Sequence, residues 1–304
     1  MSISHTDFLE VVYKICKLNG INEIKSCFRL NLGFNRIIYD VNDRFVVKIS
    51  VNEEREYEII NEVNLLKSNH KDYMPTLYSF DLSKTMIPFM YTIEEKIKGY
   101  NLFDVWSNID DNTRKFYLSN LIEIMRDMHQ QTDCKELVLT KMMDEFDEYI
   151  SKIKDKKILT SEKINYLNLL KSSLPLYFEN AKFGNIHGDI HFNNLLVTDN
   201  GLKLIDYERY DVGPLDREFD PINRMVRNPN GLIKKGVQSL VNPKDYEMIM
   251  PYLIQNYSEL CLDENFYDRL LIYDCFNSLR WLMLYPDHKQ YQDILFDKSK
   301  KLIR

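Results

Sequence analysis

The chain has 304 residues, 44% of them hydrophobic and 28% charged, with a formal net charge of −6. This is the ordinary globular range, so collagen, coiled-coil and disordered classes are excluded, and the acidic balance argues against a nucleic-acid partner, which calls for an electropositive face. Five scattered cysteines with no C-x-x-C pair, nine glycines and nine prolines fit neither a disulfide scaffold nor a zinc site, and point to a reduced, cytoplasmic compartment.

Residues 1–20 carry charges inside their apolar run and no small-residue cleavage site, so they do not read as a signal peptide. Segments 24–31, 36–41 and 44–50 are short, β-branched and aromatic, and are punctuated by Gly33 and Asn42-Asp43. They predict an antiparallel meander. In 53–68, Tyr57, Ile60, Val63 and Leu66 recur at helical spacing, predicting an amphipathic helix. Strand-like runs around 77–82 and 88–97 complete five strands with one inserted helix.

Beyond Gly99, residues 112–131, 142–156 and 161–179 predict helices, and two brief apolar strands, 194–198 and 202–206, flank the turn Asp199-Asn200-Gly201. From 243 the chain reads as helical again, with Asn242-Pro243-Lys244-Asp245 as a start signal and Pro286 as a stop. No run reaches eighteen uninterrupted apolar residues, so no membrane partner is expected. The expected class is α+β, with an N-terminal sheet lobe over 1–96 and a mainly helical lobe over 97–304. The joint near 95–99 is not a flexible linker.

The stretch NIHGDIHFNNLLVTDNGLKLIDYERYDVGP sets Asp189 in a loop, Asn194 five residues later, and Asp206 at the end of the following hairpin. A loop carboxylate can accept a hydroxyl proton, while an amide oxygen and a second carboxylate suit hard divalent cations. Upstream, Lys48 lies in FVVKIS among apolar neighbours, and a lone ammonium there demands an anionic partner. Glu62 on the next helix is the best candidate, with Glu58 one turn earlier as its competitor.

H-G-D-I-H-F-N-N followed by L-I-D resembles the catalytic and metal-binding segments of the aminoglycoside phosphotransferase family, small-molecule kinases of the protein-kinase-like fold. The resemblance spans roughly 25–225. It implies that Asp189 orients or deprotonates the acceptor hydroxyl, that Asn194 and Asp206 bind Mg2+, and that His187 braces the loop. Lys48, paired with Glu62, would reach the nucleotide phosphates. Gly33, with Asn35 beside it, resembles the phosphate-covering turn, and reads equally well as a bare hairpin glycine. Glu95 and Ile97 would meet the purine edge through their backbone, which puts Glu94 in a slot more often apolar and leaves ATP or GTP open. Asp216 or Asp220 in VGPLDREFDPINR would be a structural acid. The absence of A-P-E, with D-Y-E and H-G-D in place of D-F-G and H-R-D, favours a small-molecule acceptor over a protein.

An aminoglycoside is the first acceptor suggested by resemblance and net charge; choline, a macrolide, homoserine or another metabolite stay open. The acidic clusters Asp144-Glu145 with Asp147-Glu148, Glu208 with Asp211, and Asp263-Glu264 with Asp268 either focus a field on a polycation or are solvated helix faces with nearby lysines. Asp274, in a mostly apolar helix, needs a partner, for which Arg280 is the candidate. Twenty Tyr and sixteen Phe would suit a quaternary ammonium through cation–π contacts or simply fill a core. The rival class is a catalytically silent nucleotide-binding module, against which intact Lys48, Asp189, Asn194 and Asp206 count. Oligomeric state is not legible.

Overall fold

A computed structural model of the chain describes residues 5–31, 36–232, 241–287 and 289–302. By contacts the chain divides into two units. The first comprises Met1–Asn108 with Phe192–Tyr210, and the second Ile109–His191 with Asp211–Arg304. The hairpin expected within 97–304 therefore groups with the N-terminal sheet.

In the first unit, α1 (His5–Leu18) precedes β1 (Cys27–Asn31), β2 (Arg36–Val41), β3 (Phe45–Ser50), α2 (Glu56–Ser68), β4 (Leu77–Asp81) and β5 (Tyr91–Glu95). The five strands form one antiparallel sheet in the order β1-β2-β3-β5-β4. Between β2 and β3 the three residues 42–44 form the turn, in which Asn42 and Asp43 both take positive φ (61° and 52°) and the Arg44 N–H donates to the Val41 carbonyl at 3.1 Å. Alternation then sorts the side chains. Ile37, Tyr39, Val41, Phe45, Val47, Ile49, Tyr91 and Ile93 join Phe8, Val12, Ile15 and Cys16 of α1 in one buried cluster. Because successive residues of a strand point to opposite faces, Arg36, Lys48 and Glu94 fall on the other face.

The expected helix over 53–68 is split. Glu53–Arg55 is a 3-10 turn capped by Asn52, whose side chain accepts from the Glu54 N–H, and α2 follows. After β6 (Tyr100–Asn101), α3 (Leu102–Val105) leads out of the first stretch of this unit. Its second stretch holds β8 (Leu195–Thr198) and β9 (Gly201–Leu204), which form a three-stranded sheet with β6. Gly99 makes this possible: a Cβ there would stand 2.5 Å from the Val197 carbonyl oxygen. Sequence reading lacked α1 and β6; a two-residue strand carries no alternation to detect.

The second unit contains α4 (Asp111–Met128), α5 (Lys135–Asp155), α6 (Ser161–Tyr177), β7 (Phe183–Ile186), β10 (Asp211–Pro214), α7 (Phe219–Arg227), α8 (Ile249–Asn256), α9 (Ser258–Cys261), α10 (Phe266–Leu284) and α11 (Lys289–Leu302). Helices α5, α6, α10 and α11 pack together, and α4 packs on α8. Asp110 caps α4 by accepting from the Asn112 and Thr113 N–H groups, and Thr160 caps α6, the interactions that satisfy orphan N–H groups of a first turn. The expected start at Asn242 is a 3-10 turn, Pro243–Tyr246, with Asn242 accepting from the Lys244 N–H. Strands β7 and β10 pair antiparallel and were too short for sequence periodicity to show.

Candidate active site

The polar face of the sheet in the first unit gathers charge. Lys48 Nζ donates to Glu62 Oε1 at 2.8 Å and lies 2.7 Å from Glu94 Oε1. Arg36 donates to the other Glu62 oxygen, and its Nε is 3.7 Å from Glu208 Oε2. Arg36, Lys48, Glu62 and Glu94 are all buried. Glu62 arrives because α2 turns Ile59, Glu62, Val63 and Leu66 inward at helical spacing. Glu58, the competing candidate, pairs instead with Arg55 at the head of its own helix. Arg36 escaped sequence reading, although its register on β2 places it on the face that carries Lys48 of β3. Glu94 stands two residues along β5 from Thr92, the residue opposite Lys48, a diagonal within reach of long side chains.

Burial disfavours charge on each of these groups, and neighbours decide the outcome. Burial pushes Glu62 up, but Arg36 and Lys48 together pull it down to about 2. For Glu94 burial wins: its carboxyl is pushed up to about 7, against the pull of Lys48 and with the charge of Glu62 adding to the rise. Burial alone would lower Lys48, yet Glu62, Glu94 and Asp206 raise it above its ordinary range. Glu208 is pushed up to about 7 by burial and then by Asp206.

The hairpin that carries Asn194 and Asp206 is fastened at several points. Asn101 Nδ2 donates to the Asn193 carbonyl at 2.8 Å, and Trp106 packs on Phe192 with ring centroids 4.6 Å apart. The Leu204 N–H donates to the Tyr73 carbonyl at 2.7 Å, and the Ile205 N–H to the Asn194 carbonyl at 3.0 Å. That last bond closes the hairpin base, so buried Asn194 and the residue before Asp206 are held together. Asp206 takes φ 69° and ψ 62°, a left-handed backbone that costs a non-glycine residue about 1–3 kcal/mol and concentrates at functional sites. Its charge acts on both Lys48 and Arg36. The first unit therefore brings Lys48, Glu62, Asn194 and Asp206 into one neighbourhood.

An amide oxygen and a carboxylate are the donors a hard divalent ion prefers. Among the described residues no group of three or more His, Cys, Asp or Glu side chains could hold a metal by itself. Glu95 ends β5; its N–H donates to the Thr76 carbonyl at 2.9 Å, and the Lys96 N–H donates to the Arg44 carbonyl at 2.8 Å. Ile97 lies two residues beyond the strand. Gly33 and Asn35 lie outside the described residues.

Asp189 belongs to the second unit, and its loop is built from inside. His187 is fully buried and its Nδ1 accepts the Asp189 N–H at 3.3 Å. Gly188 has φ 77°, a backbone that suits glycine. The buried carboxylate of Glu218 accepts from the His187 N–H, and from the Gly188 N–H at 3.2 Å. His129 Nε2 stands 3.8 Å from the same carboxylate. His191 Nε2 is 3.9 Å from Asp189 Oδ2.

The acid that braces the loop is Glu218, while Asp216, one of the two candidates for a structural acid, is buried and structural elsewhere. Asp216 faces α10, accepting from Arg269 Nε and the Tyr273 hydroxyl at 2.6 Å each, while Asp220 pairs with Arg224. The signal is present in the spacing, since a G-x-x-x-x-acid closure counted from Gly213 puts its acid at Glu218. Asp274 is paired with Arg227 at 2.6 Å and Lys298 at 2.7 Å rather than Arg280. Six residues along a helix is some 240° around it, so residues 274 and 280 face different ways. The acidic clusters are largely compensated by internal partners: Glu145 accepts from Tyr149, Asp147 pairs with Lys171, Glu148 with Lys152, Glu208 with Arg36, Asp211 with Lys141 and Asp263 with Arg269.

The family model of the phosphotransferase enzyme family, APH, matches residues 31–219. No curated protein matches the chain. Among solved structures, the ternary complex of APH(2'')-IIa with streptomycin and ATP has TM-score 0.69 at 15% identity, covering 100% of both chains. The GDP and kanamycin complex of APH(2'')-IIIa has TM-score 0.66 at 17% identity, covering 97% of each. The choline kinase LicA from Streptococcus pneumoniae has TM-score 0.57 at 14% identity, covering 97% of this chain and 98% of that one. At such identities the likeness carries the fold: protein-kinase-like and α+β, with a small antiparallel-sheet lobe and a mainly helical lobe.

Proposed function

Since the chain belongs to the phosphotransferase enzyme family, we propose that it moves the γ-phosphoryl group of ATP or GTP to a hydroxyl of a small polar molecule, with Mg2+ as cofactor. One observation carries the reading: a buried lysine fixed by a buried glutamate at 2.8 Å, within the field of an aspartate held in left-handed backbone. A resting protein gains little from such an assembly, because buried ion pairs often do no better than apolar packing. It suits a site that must grip an anion without reorganising.

In this reading Lys48 binds and orients the phosphates, with Glu62 holding its ammonium in place. Glu95 and Ile97 offer backbone groups to the purine, and Gly33 with Asn35 covers the phosphates. Asn194 and Asp206 are the residues that would hold magnesium, which neutralises charge on the transferring group when bound. Asp189 accepts the proton of the acceptor hydroxyl and aims its oxygen, its backbone kept in place by His187 and Glu218. Positioning and electrostatics supply most of the acceleration, and general base help contributes about 10²–10⁴-fold.

The acceptor is a small hydroxylated molecule. An aminoglycoside accords with what the APH(2'') structures hold. A singly charged amino alcohol such as choline is the second reading, favoured by the choline kinase match and by internal pairing in the acidic clusters. Purified protein should hydrolyse ATP or GTP slowly with magnesium, and Asp189→Ala should lower that turnover at least about a hundredfold. In calorimetry Asp206→Ala should weaken magnesium–nucleotide binding more than Asp189→Ala does. Equal losses would reject this division of roles.

A further inference from the structure

Holding Lys48 for phosphate takes one carboxylate, and the structure supplies two. Glu94 Oε1 lies 2.7 Å from the ammonium that Glu62 already holds. Among the groups around Glu94, Lys48 comes from β3, Glu62 from α2 and Arg36 from β2, while Leu77 of β4, opposite it in the ladder, brings no charge. Arg36 is engaged with Glu62 and Glu208. Two buried carboxylates thus share one lysine, and they are not equivalent: Glu62 also pairs directly with Arg36, whereas Glu94, among the described residues, pairs directly with Lys48 alone.

We propose that Glu94 is a proton-coupled positioning residue: it holds Lys48 in the free protein, and takes a proton from solvent when the phosphates of a nucleotide engage that ammonium. The inference rests on Lys48 being the phosphate-binding lysine. An incoming polyphosphate adds negative charge beside Glu94 and competes for its counter-ion, and both effects disfavour the carboxylate. The carboxylate then becomes a carboxyl, one proton leaves the buffer, and no other bond is made or broken. Glu62, kept ionised by Arg36, remains the anchor. The free carboxyl already sits at about 7 through burial, so a shift in either direction moves its charge near neutral pH.

The test is calorimetric titration of ATP and of GTP, with excess magnesium to keep the nucleotide's own phosphate deprotonated, into the full chain at pH 7.5. Parallel runs use two buffers of different ionisation enthalpy. Wild type should take up about 0.7 proton per nucleotide, and its affinity should fall about fivefold from pH 7 to pH 8. Glu94→Gln, which keeps the shape and an acceptor oxygen, should bind without that uptake and with a flatter pH profile. Glu208 is common to both proteins and cancels in the difference. Nucleotide binding by wild type with a buffer-independent enthalpy overturns the proposal whether or not the variant folds, and so does equal uptake in Glu94→Gln. Absence of any nucleotide binding overturns the reading of Lys48 itself, and this inference with it.

Discussion

Glu62 and Glu94 touch the same ammonium and respond to pH in opposite directions. Glu62 is held below its ordinary range, down to about 2, so its contribution to stability is present above the unfolded value and is lost as pH falls through 2. Glu94 is raised to about 7, so the folded state favours its protonated form. Its contribution is full below the unfolded value near 4.5 and is lost as pH rises through 7, a cost on the order of 3 kcal/mol at alkaline pH. Melting temperature should therefore fall between pH 5 and pH 8 in wild type, and fall less in Glu94→Gln. Parallel curves for the two proteins would show that Glu94 is not the group responsible. Legibility at this scale was uneven. FVVKIS advertised Lys48 because an ammonium among apolar residues needs an anion, and helical spacing offered Glu62 with one rival. The ion-pair partner Arg36 and the second carboxylate could not be read, because they depend on which strands lie side by side.

Helix α1 and Glu218 each show, within its own unit, how an element supports the residues that matter there. Phe8, Val12, Ile15 and Cys16 of α1 back the sheet on the face opposite Lys48. Ile15 is fully buried, and Ile15→Ala should cost about 2–5 kcal/mol, read as a lower denaturation midpoint. No loss would mean that α1 does not pack as described. Glu218, in the 3-10 turn Leu215–Glu218, reaches back to the His187 and Gly188 N–H groups. Glu218→Gln turns one of the two accepting oxygens, the second of which also takes the Gly188 N–H at 3.2 Å, into an NH2 donor facing those N–H groups, and a buried donor left unmade costs about 1–3 kcal/mol. It should lower kcat more than it raises the KM for nucleotide; a pure KM effect would place Glu218 in nucleotide binding instead. Period-2 and period-3.6 patterns exposed the five-stranded sheet and the long helices. They could not expose β6, β7 and β10, whose pairing partners lie far along the chain. DREFD offers three acids in five residues, and the fifth residue beyond Gly213 is the middle one, Glu218.

At the scale of the whole molecule, the two contact-defined units interleave along the sequence, because Phe192–Tyr210 groups with the N-terminal sheet. A boundary drawn at 96 and 97 follows the change from strand to helix patterns. It misses that grouping because the Tyr73–Leu204 and β6–β8 contacts join residues about a hundred or more apart. Among the described residues no helix is long and apolar enough to cross a membrane. The surface charge offers little guide to the acceptor, since most of the clustered acids are matched by basic or hydroxyl partners within the chain. The decisive measurement is transfer of labelled γ-phosphate from ATP and GTP, in parallel, to aminoglycosides, macrolides, choline and amino alcohols. The account predicts magnesium-dependent label on at least one hydroxylated acceptor, abolished to within about a hundredth by Asp189→Ala. Tight nucleotide binding with no labelled product across the whole panel would contradict it, and would make the chain a silent nucleotide-binding module.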